Sequence, residues 1–379
     1  MPKGFLYSGV RCGLKNKRRD LGLLWSETPS VGAGVFTQNL VRASCVDYSR
    51  SVVASGRLQG IVVNSGNANC MTGEQGEANT RRMALLAAEH LGLDSEWIAV
   101  ASTGVIGQQI AMDKVEKGIR EAAVHGSSDP QPFAEAIMTT DLVEKTSEIA
   151  LGGGSIRGIA KGSGMIEPNM ATMLAFIATD LVVDAATLDR ALRAAVANSF
   201  NALTVDGDTS TNDMVLAMAN GASGHQPTYP EFAHALEQVC VDLAKQVARD
   251  GEGATKLIEV WVRGSDDPKR VAKTIANSPL VKTAMFGCDP NWGRILAAAG
   301  RSGVAFEPTL ATLTLAASGR RHLLCRNGTP QTFDAAEASQ DLKAESVRIE
   351  LDLGPGEEAV VYTCDFGYGY VRINAEYHT

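Results

Sequence analysis

The chain has 379 residues, of which 45% are hydrophobic and 21% are charged, and its formal net charge is −8. This length and composition predict an ordinary folded protein with two domains or one large α/β unit, and they exclude a mainly disordered chain. The acidic balance, broken only by a short basic run at residues 15–19, argues against nucleic acid as a partner.

The sequence gives no sign of a membrane or targeting segment. Its apolar runs fall short of the roughly 18 residues that a membrane helix needs, and the start MPKGFLYSGVRCG lacks the apolar core of a signal peptide. We therefore expect a cytoplasmic protein with no membrane partner. Seven scattered cysteines and six isolated histidines lack metal-ligand spacing, so we expect reduced thiols and no metal site.

Helix-like and strand-like patterns alternate along the chain, which predicts the α/β class. Asp113 and Asp184 are predicted N-caps, because a short carboxylate can accept the first free backbone N–H groups of a helix. Helices are predicted over residues 77–91, 113–124, 184–198 and 229–250. Strands are predicted in β-branched runs at residues 61–64, 98–101, 257–262 and 347–353.

Two regions differ from this background. From Ile149 the chain reads IALGGGSIRGIAKGSGMIEPNMATMLAFIATDLVV, in which a glycine-punctuated hairpin leads through Pro168 into an apolar run that begins at Met170. From Ser199 it reads SFNALTVDGDTSTNDMVLAM, a cluster of small polar side chains between a helix and an apolar segment. Such a cluster is either a turn or a site.

The usual catalytic motifs are missing from the sequence. It has no G-x-S-x-G elbow, no phosphate-binding loop motif and no histidine in a recognisable motif. A threonine that begins a chain needs no histidine, because its own α-amino group, with an unperturbed pKa of about 8, can accept the hydroxyl proton. Thr172 becomes such a residue if its hydroxyl attacks the Ala171 carbonyl and water then hydrolyses the resulting ester.

An attack of this kind needs hydrogen-bond donors for the developing oxyanion. The segment ASTGVIG, residues 101–107, follows a strand, and Thr103 with the backbone of Gly104 can supply such donors. The alternative is a turn in which Thr103 caps the next helix. An Ala-Thr step within an apolar segment is equally typical of an ordinary core strand.

The string KGSGMIEPNMATML, residues 161–174, closely resembles the self-cleavage segment of the ornithine acetyltransferase family, also called bifunctional glutamate N-acetyltransferases or ArgJ proteins. Seven further strings resemble family segments in the same order and extend the resemblance over the whole chain. They are VVNSGNANCMTG, ASTGVIG, AIMTTD, TVDGDTSTND, DGEGATK, DPNWGRIL and YVRINAEYHT. We interpret TVDGDTSTND and DPNWGRIL as support for the site rather than as catalytic segments.

The resemblance implies the self-processing DmpA/ArgJ-type α/β fold, with layered helices and sheets and a smaller C-terminal α/β domain. Cleavage would give an alpha chain, residues 1–171, and a beta chain, residues 172–379. These would form one intertwined N-terminal unit at about 1–275 and a smaller domain at about 276–379. The family usually pairs such units into an α2β2 assembly.

The resemblance also implies the residue roles. Thr172 would be the nucleophile, released by cleavage after Ala171, and Thr103 with Gly104 would form the oxyanion hole. The implied substrate contacts are Thr139, Lys161, Thr172, Glu252, Asn374 and Thr379. Taken singly, Lys161 would be a solvated hairpin lysine, Glu252 part of a Gly-rich loop, and Asn374 with Thr379 a frayed tail.

The implied activity is transfer of an acetyl group from N2-acetylornithine to glutamate in arginine biosynthesis, by ping-pong kinetics through an acyl-enzyme ester on Thr172. No cofactor is expected, and acetyl-CoA stays open as a second acetyl donor. In this reaction Glu252 suits the side-chain ammonium of ornithine and Lys161 suits a carboxylate. The alternatives are an N-terminal-nucleophile aminopeptidase or amidohydrolase, and a non-catalytic amino-acid binding protein.

Overall fold

The computed structural model describes residues 1–167 and 173–376. Within them the chain forms two compact units. The first comprises residues 1–201 and 209–243, and the second comprises residues 202–208 and 244–376. No helix in the described ranges is long and apolar enough to cross a membrane.

The first unit contains two sheets. Its strands are β1 (Phe5–Val10), β2 (Leu21–Ser26), β3 (Val31–Phe36), β4 (Gly60–Asn67), β5 (Ile98–Val105), β6 (Lys145–Leu151), β7 (Gly154–Lys161), β8 (Leu174–Thr179) and β9 (Met214–Ala219). One sheet has the order β1-β2-β4-β5 and the other has the order β3-β9-β8-β7-β6. The β4/β5 and β8/β9 pairs are parallel, and the predicted glycine-punctuated hairpin is confirmed as the antiparallel pair β6/β7.

The helices of the first unit are α1 (Ser44–Val53), α2 (Gly73–Leu91), α3 (Met112–Val124), α4 (Gln131–Ile137) and α5 (Ala185–Asn198), and α6 (Tyr229–Arg249) begins there and ends in the second unit. The predicted N-cap at Asp184 is confirmed, because its carboxylate accepts the Thr187 N–H at 2.8 Å. The prediction for Asp113 is wrong. Helix α3 begins one residue earlier and has Ala111 as its N-cap, so the Asp113 carboxylate lies in the first turn.

One hydrophobic core joins the two sheets of the first unit. Phe133 of α4 belongs to this core, with its ring 6.3 Å from that of Tyr7 on β1 and 5.4 Å from that of Phe176 on β8. Strands β4 and β5 are buried almost throughout, as expected for parallel strands covered on both faces. This burial explains why both strands begin with an apolar run, GIVV in β4 and IAVA in β5.

The second unit contains one six-stranded sheet with the order β13-β12-β11-β14-β10-β15. Its elements are β10 (Leu257–Arg263), α7 (Pro268–Ala276), α8 (Pro279–Phe286), α9 (Trp292–Gly300), β11 (Thr312–Ala317), β12 (Arg320–Arg326), β13 (Thr329–Pro330), α10 (Ala335–Asp341), β14 (Ser346–Asp352), β15 (Glu358–Cys364) and α11 (Tyr368–Glu376). The main segment of this unit begins at Ala244, not near residue 276 as expected. The reason is that β10 pairs with both β14 and β15, so it belongs to this sheet.

Candidate functional site

The predicted oxyanion pair lies at the carboxyl end of β5. In the parallel register with β4, Gly66 is opposite Gly104. Gly104 has a φ of +132°, and a Cβ atom there would lie 2.4 Å from the carbonyl carbon of Gly66, so this position requires glycine. The alternative in which Thr103 caps the next helix is wrong, because Thr103 lies inside the strand and Ala111 is the N-cap of α3.

Asn212 fixes the backbone at this strand end. Its Nδ2 group donates hydrogen bonds to the carbonyl oxygen of Ala68 at 2.6 Å and to that of Ser102 at 2.8 Å. The Ser102 hydroxyl in turn donates to Asn64 Oδ1 at 2.7 Å. Ser102, the residue before Thr103, is therefore held through both its carbonyl oxygen and its hydroxyl group. Asn212 belongs to the polar cluster that begins at Ser199, so this part of the cluster contacts the end of β5 directly.

Thr139 and Lys161 lie together in the same unit. Lys161 is the last residue of β7, and its Nζ donates to Thr139 Oγ1 at 3.2 Å. The carboxylate of Asp141 organises both segments, since it accepts the backbone N–H of Thr139 at 2.9 Å and that of Gly162 at 2.7 Å. The structure thus brings two of the predicted substrate residues into hydrogen-bond contact.

Asp141 forms a fully buried ion pair with Lys145, whose Nζ is 2.7 Å from Asp141 Oδ1. Burial alone would raise the pKa of Asp141. The charges of Lys145 and Lys161 and the donated hydrogen bonds overcome this effect and lower the pKa to about 2. Asp141 is therefore a fixed negative charge next to Thr139 and Lys161, and no sequence motif identified it.

Lys15 is a second neighbour of this cluster that sequence reasoning missed. Its Nζ donates to the carbonyl oxygen of Met138 at 2.8 Å, next to Thr139 in the chain. A Cβ atom on Gly66 would lie 2.9 Å from Lys15 Cγ, so the lysine also lies against the end of β4. Burial lowers the pKa of Lys15 to about 8. In the sequence it is only one residue of a short basic run, and its partial burial could not be inferred there.

Glu252 and Asn374 meet in the second unit. Asn374 Nδ2 donates to Glu252 Oε2 at 2.7 Å, and Glu252 is 8% exposed. A Cβ atom on Gly253 would lie 2.3 Å from the backbone nitrogen of Tyr370, so the turn after α6 packs directly against α11. The interpretation of Asn374 as part of a frayed tail is wrong, because it lies within α11 and holds the Glu252 carboxylate.

Ala171, Thr172 and Thr379 lie outside the described residues, so their roles stay predictions. The first described residue after the predicted cleavage point is Met173, whose carbonyl oxygen accepts the Met214 N–H at 3.1 Å. No group of three or more His, Cys, Asp or Glu side chains that could hold a metal ion occurs in residues 1–167 and 173–376.

The first unit is a layered α/β fold in which hydroxyl, amide and ammonium donors lie near the carboxyl ends of the parallel strands β4 and β5. Such donors suit a small molecule that carries a carboxylate or a carbonyl group. The chain belongs to the ArgJ family, whose family model matches residues 6–379. The resemblance inferred from the eight motifs is therefore confirmed.

Full-length relatives support this assignment. The chain is 46% identical over 395 aligned residues to a protein of Thermotoga neapolitana, with 100% of each chain covered. It is 48% identical to a protein of Symbiobacterium thermophilum, with 100% of this chain and 98% of the relative covered. Both relatives carry the name arginine biosynthesis bifunctional protein ArgJ.

Two solved structures of similar sequence match part of the chain. A crystal structure of the arginine biosynthesis bifunctional protein ArgJ of Bacillus halodurans is 40% identical, covers 45% of this chain and 92% of its own, and has a TM-score of 0.43. Ornithine acetyltransferase of Mycobacterium tuberculosis, solved with ornithine, is 36% identical, covers 45% of this chain and 94% of its own, and has a TM-score of 0.44.

Proposed function

We propose that this chain is a glutamate N-acetyltransferase of arginine biosynthesis that moves an acetyl group from N2-acetylornithine to glutamate. The observation that carries this proposal is the full-length similarity, at 46% and 48% identity, to two proteins named for arginine biosynthesis. The geometry around Gly104 and Lys161 supports it, since donors suited to an oxyanion and to a carboxylate are fixed within one unit.

The first half-reaction uses the threonine released by self-cleavage. The α-amino group of Thr172 accepts the proton of its own hydroxyl, and Oγ attacks the acetyl carbonyl of N2-acetylornithine. Thr103 and the backbone N–H of Gly104 stabilise the tetrahedral oxyanion. The C–N bond then breaks, the proton passes to the departing amine of ornithine, and the acetyl group stays on Thr172 as an ester.

The second half-reaction transfers the acetyl group to glutamate. The amine of glutamate attacks the ester carbonyl, the same oxyanion donors act again, and Thr172 Oγ leaves with the returned proton. Thr139 and Lys161 bind a substrate carboxylate, and Asp141 holds their two segments through the N–H groups of Thr139 and Gly162. Glu252, oriented by its hydrogen bond from Asn374, binds the side-chain ammonium of ornithine in the first half-reaction.

Intact-mass spectrometry of the denatured protein after brief incubation with N2-acetylornithine tests the proposal. We expect a wild-type fragment that begins at Thr172, partly heavier by one acetyl group, and an uncut chain for Thr172→Ala. Thr179→Ala is a matched control, because Thr179 is a buried threonine on the same strand, β8, and it should be cut normally. Addition of glutamate should remove the extra mass and yield N-acetylglutamate.

Other results would favour the alternatives. A cut fragment that releases free acetate, even with glutamate present, would indicate an amidohydrolase. An uncut wild-type chain that binds ornithine would indicate a non-catalytic amino-acid binding protein. The same incubation with acetyl-CoA tests the second donor, and light scattering tests our proposal that the fragments stay together in an α2β2 assembly.

A further inference from the structure

Self-cleavage poses a chemical problem that the acetyl transfer does not. Before the bond between Ala171 and Thr172 is cut, the nitrogen of Thr172 is an amide and has no basic lone pair. The α-amino group that serves as base in the finished enzyme is therefore absent in this first step, and another group must accept the hydroxyl proton. The following inference rests on the proposed self-cleavage.

Asp213 is a buried carboxyl group with an unused oxygen. The residue is 3% exposed and immediately precedes β9. Its Oδ2 atom has no hydrogen-bond partner in residues 1–167 and 173–376. Buried carboxyl oxygens are normally hydrogen-bonded, because an unsatisfied polar atom in a protein interior is costly. Neither the fold nor the acetyl transfer accounts for this one.

The position of Asp213 connects it with the cleavage point. Strands β8 and β9 are parallel, with Leu174 opposite Met214, and the Met214 N–H donates to Met173 O at 3.1 Å. Asp213 directly precedes Met214, and Thr172 directly precedes Met173 in the chain. The carboxyl group is therefore carried by the strand that pairs with the one following the cleavage point.

The backbone around Asp213 is firmly held. The Thr37 N–H, at the end of β3, donates to Asp213 O at 3.0 Å. The preceding residue, Asn212, donates to the carbonyl oxygen of Ser102, one residue before Thr103 of the oxyanion pair. One short segment therefore supplies the unused carboxyl oxygen and also fixes the strand end that carries the oxyanion donors.

The electrostatic surroundings suit a proton acceptor. Burial raises the pKa of Asp213 well above its ordinary value, and hydrogen bonds from Ser210 together with the charge of Lys161 oppose this rise only in part. Lys161, at the end of β7, acts on Asp213 from the far side of β8. A carboxylate whose pKa is raised is a stronger base than an ordinary one.

We propose that Asp213 is the general base of self-cleavage. Its Oδ2 accepts the proton of Thr172 Oγ as Oγ forms a bond to the carbonyl carbon of Ala171. The same proton then passes to the nitrogen of Thr172 as the C–N bond breaks, which leaves an ester and a free amine. Water finally hydrolyses the ester and gives the carboxyl group of Ala171 and the hydroxyl of Thr172.

The test measures the cleavage rate of the full-length chain, synthesised in a cell-free system and quenched at intervals. We expect Asp213→Asn to slow cleavage by roughly 10²–10⁴-fold, the usual contribution of a general base, and Asp213→Glu to restore part of the rate. Asp180→Asn is the matched control and should cut at nearly the wild-type rate. Asp180 is 1% exposed and follows β8 at its other end, where it accepts the Ser155 N–H at 2.7 Å.

Cleavage of Asp213→Asn at the wild-type rate would overturn the inference and leave the proposed function intact, whereas an uncut wild-type chain would overturn the proposed function itself. Loss of cleavage in Lys15→Met alone would identify the Lys15 amine as the base instead. Thermal unfolding of Asp213→Asn, made in the uncut Thr172→Ala chain, checks that the variant folds.

The pH dependence of wild-type cleavage needs no variant, so it tests whether a carboxylate is the base even if Asp213→Asn does not fold. The rate should rise with pH through the pKa of Asp213 and then level off, because only the carboxylate form accepts a proton. A rate that is flat from acid to neutral pH, or one that rises tenfold for each pH step without a plateau, would contradict a carboxylate base.

Discussion

Replacement of Lys145 by methionine should strongly destabilise the first unit. The Lys145 and Asp141 side chains are fully buried and their charged atoms are 2.7 Å apart, so the substitution leaves a carboxylate in the interior without its main counter-charge. Breaking such a pair typically costs about 3–5 kcal/mol. Asp141 keeps the charge of Lys161 and two backbone N–H donors, so we expect the lower end, about 3 kcal/mol.

A loss of about 3 kcal/mol corresponds to a fall in Tm of about 6–12 °C for a unit of this size. The measurement is thermal unfolding followed by circular dichroism, in the uncut Thr172→Ala chain so that fragment dissociation does not contribute. Lys117→Met is the matched control, because Lys117 lies exposed on α3 and its replacement should change stability by less than about 0.5 kcal/mol.

A double variant separates the broken pair from lost packing. Asp141→Asn combined with Lys145→Met removes both charges, and it should be more stable than Lys145→Met alone because no buried charge is left uncompensated. Equal unfolding temperatures for Lys145→Met and Lys117→Met would refute this reasoning. So would a double variant whose loss equals the sum of the two single losses.

Three further predictions concern pH, the oxyanion donors and the substrate. The pKa of Asp141 falls from 3.8 to about 2 on folding, so the ionised carboxylate contributes about 2 kcal/mol to the free energy of unfolding above pH 4. This contribution is lost as the pH drops toward 2. The free energy of unfolding of Asp141→Asn should therefore fall less steeply with decreasing pH, which acid unfolding measures. Gly104→Ala, whose Cβ would overlap Gly66, should slow self-cleavage and transfer at least ~10²-fold on gels and in assays. Gly107→Ala, also at positive φ but with open space around its Cβ among the described residues, is its control. Glu252→Gln should raise KM for N2-acetylornithine roughly tenfold or more with little change in kcat, which steady-state kinetics checks.

Local sequence patterns predicted individual elements of the fold. The predicted helices at residues 184–198 and 229–250 match α5 and α6 to within one residue at each end, because apolar periodicity and a capping aspartate act over a few neighbouring residues. The strand order could not be predicted in this way. Strand β3 pairs with β9, and β10 pairs with both β14 and β15, through hydrogen bonds between segments far apart in the chain.

The same distinction between local sequence pattern and tertiary packing applies to the residues of the candidate site. Thr103, Lys161 and Glu252 were identified from motifs that resemble a known family, and the structure gives each of them a fixed environment. Lys15 and Asp213 were not identified, because their significance depends on burial. A lysine in a basic run and an aspartate in a polar loop are typical of solvated segments, and only the packed fold half-buries Lys15 and buries Asp213.

Asp141 and Asp213 are two buried carboxyl groups whose pKa values are both lowered by the charge of Lys161, yet their net pKa shifts are opposite. Lys145 and backbone donors compensate the burial of Asp141 and lower its pKa, whereas burial dominates at Asp213 and raises its pKa. Environments that separate two pKa values in this way assign separate roles. Asp141 stays ionised and holds the backbone next to Lys161 through the Gly162 N–H, while the raised pKa makes Asp213 the stronger base of the two.

This division of roles makes Lys161 a regulator of the proposed base. Its charge lowers the pKa of Asp213, so Lys161→Met should raise that pKa further and shift the rise of the self-cleavage rate to higher pH. Lys117→Met should leave the profile in place. If the pH profile of Lys161→Met coincides with that of the wild type, the charge of Lys161 has no influence on the group that accepts the proton. That result would contradict Asp213 as the base, because the charge of Lys161 lowers the pKa of Asp213.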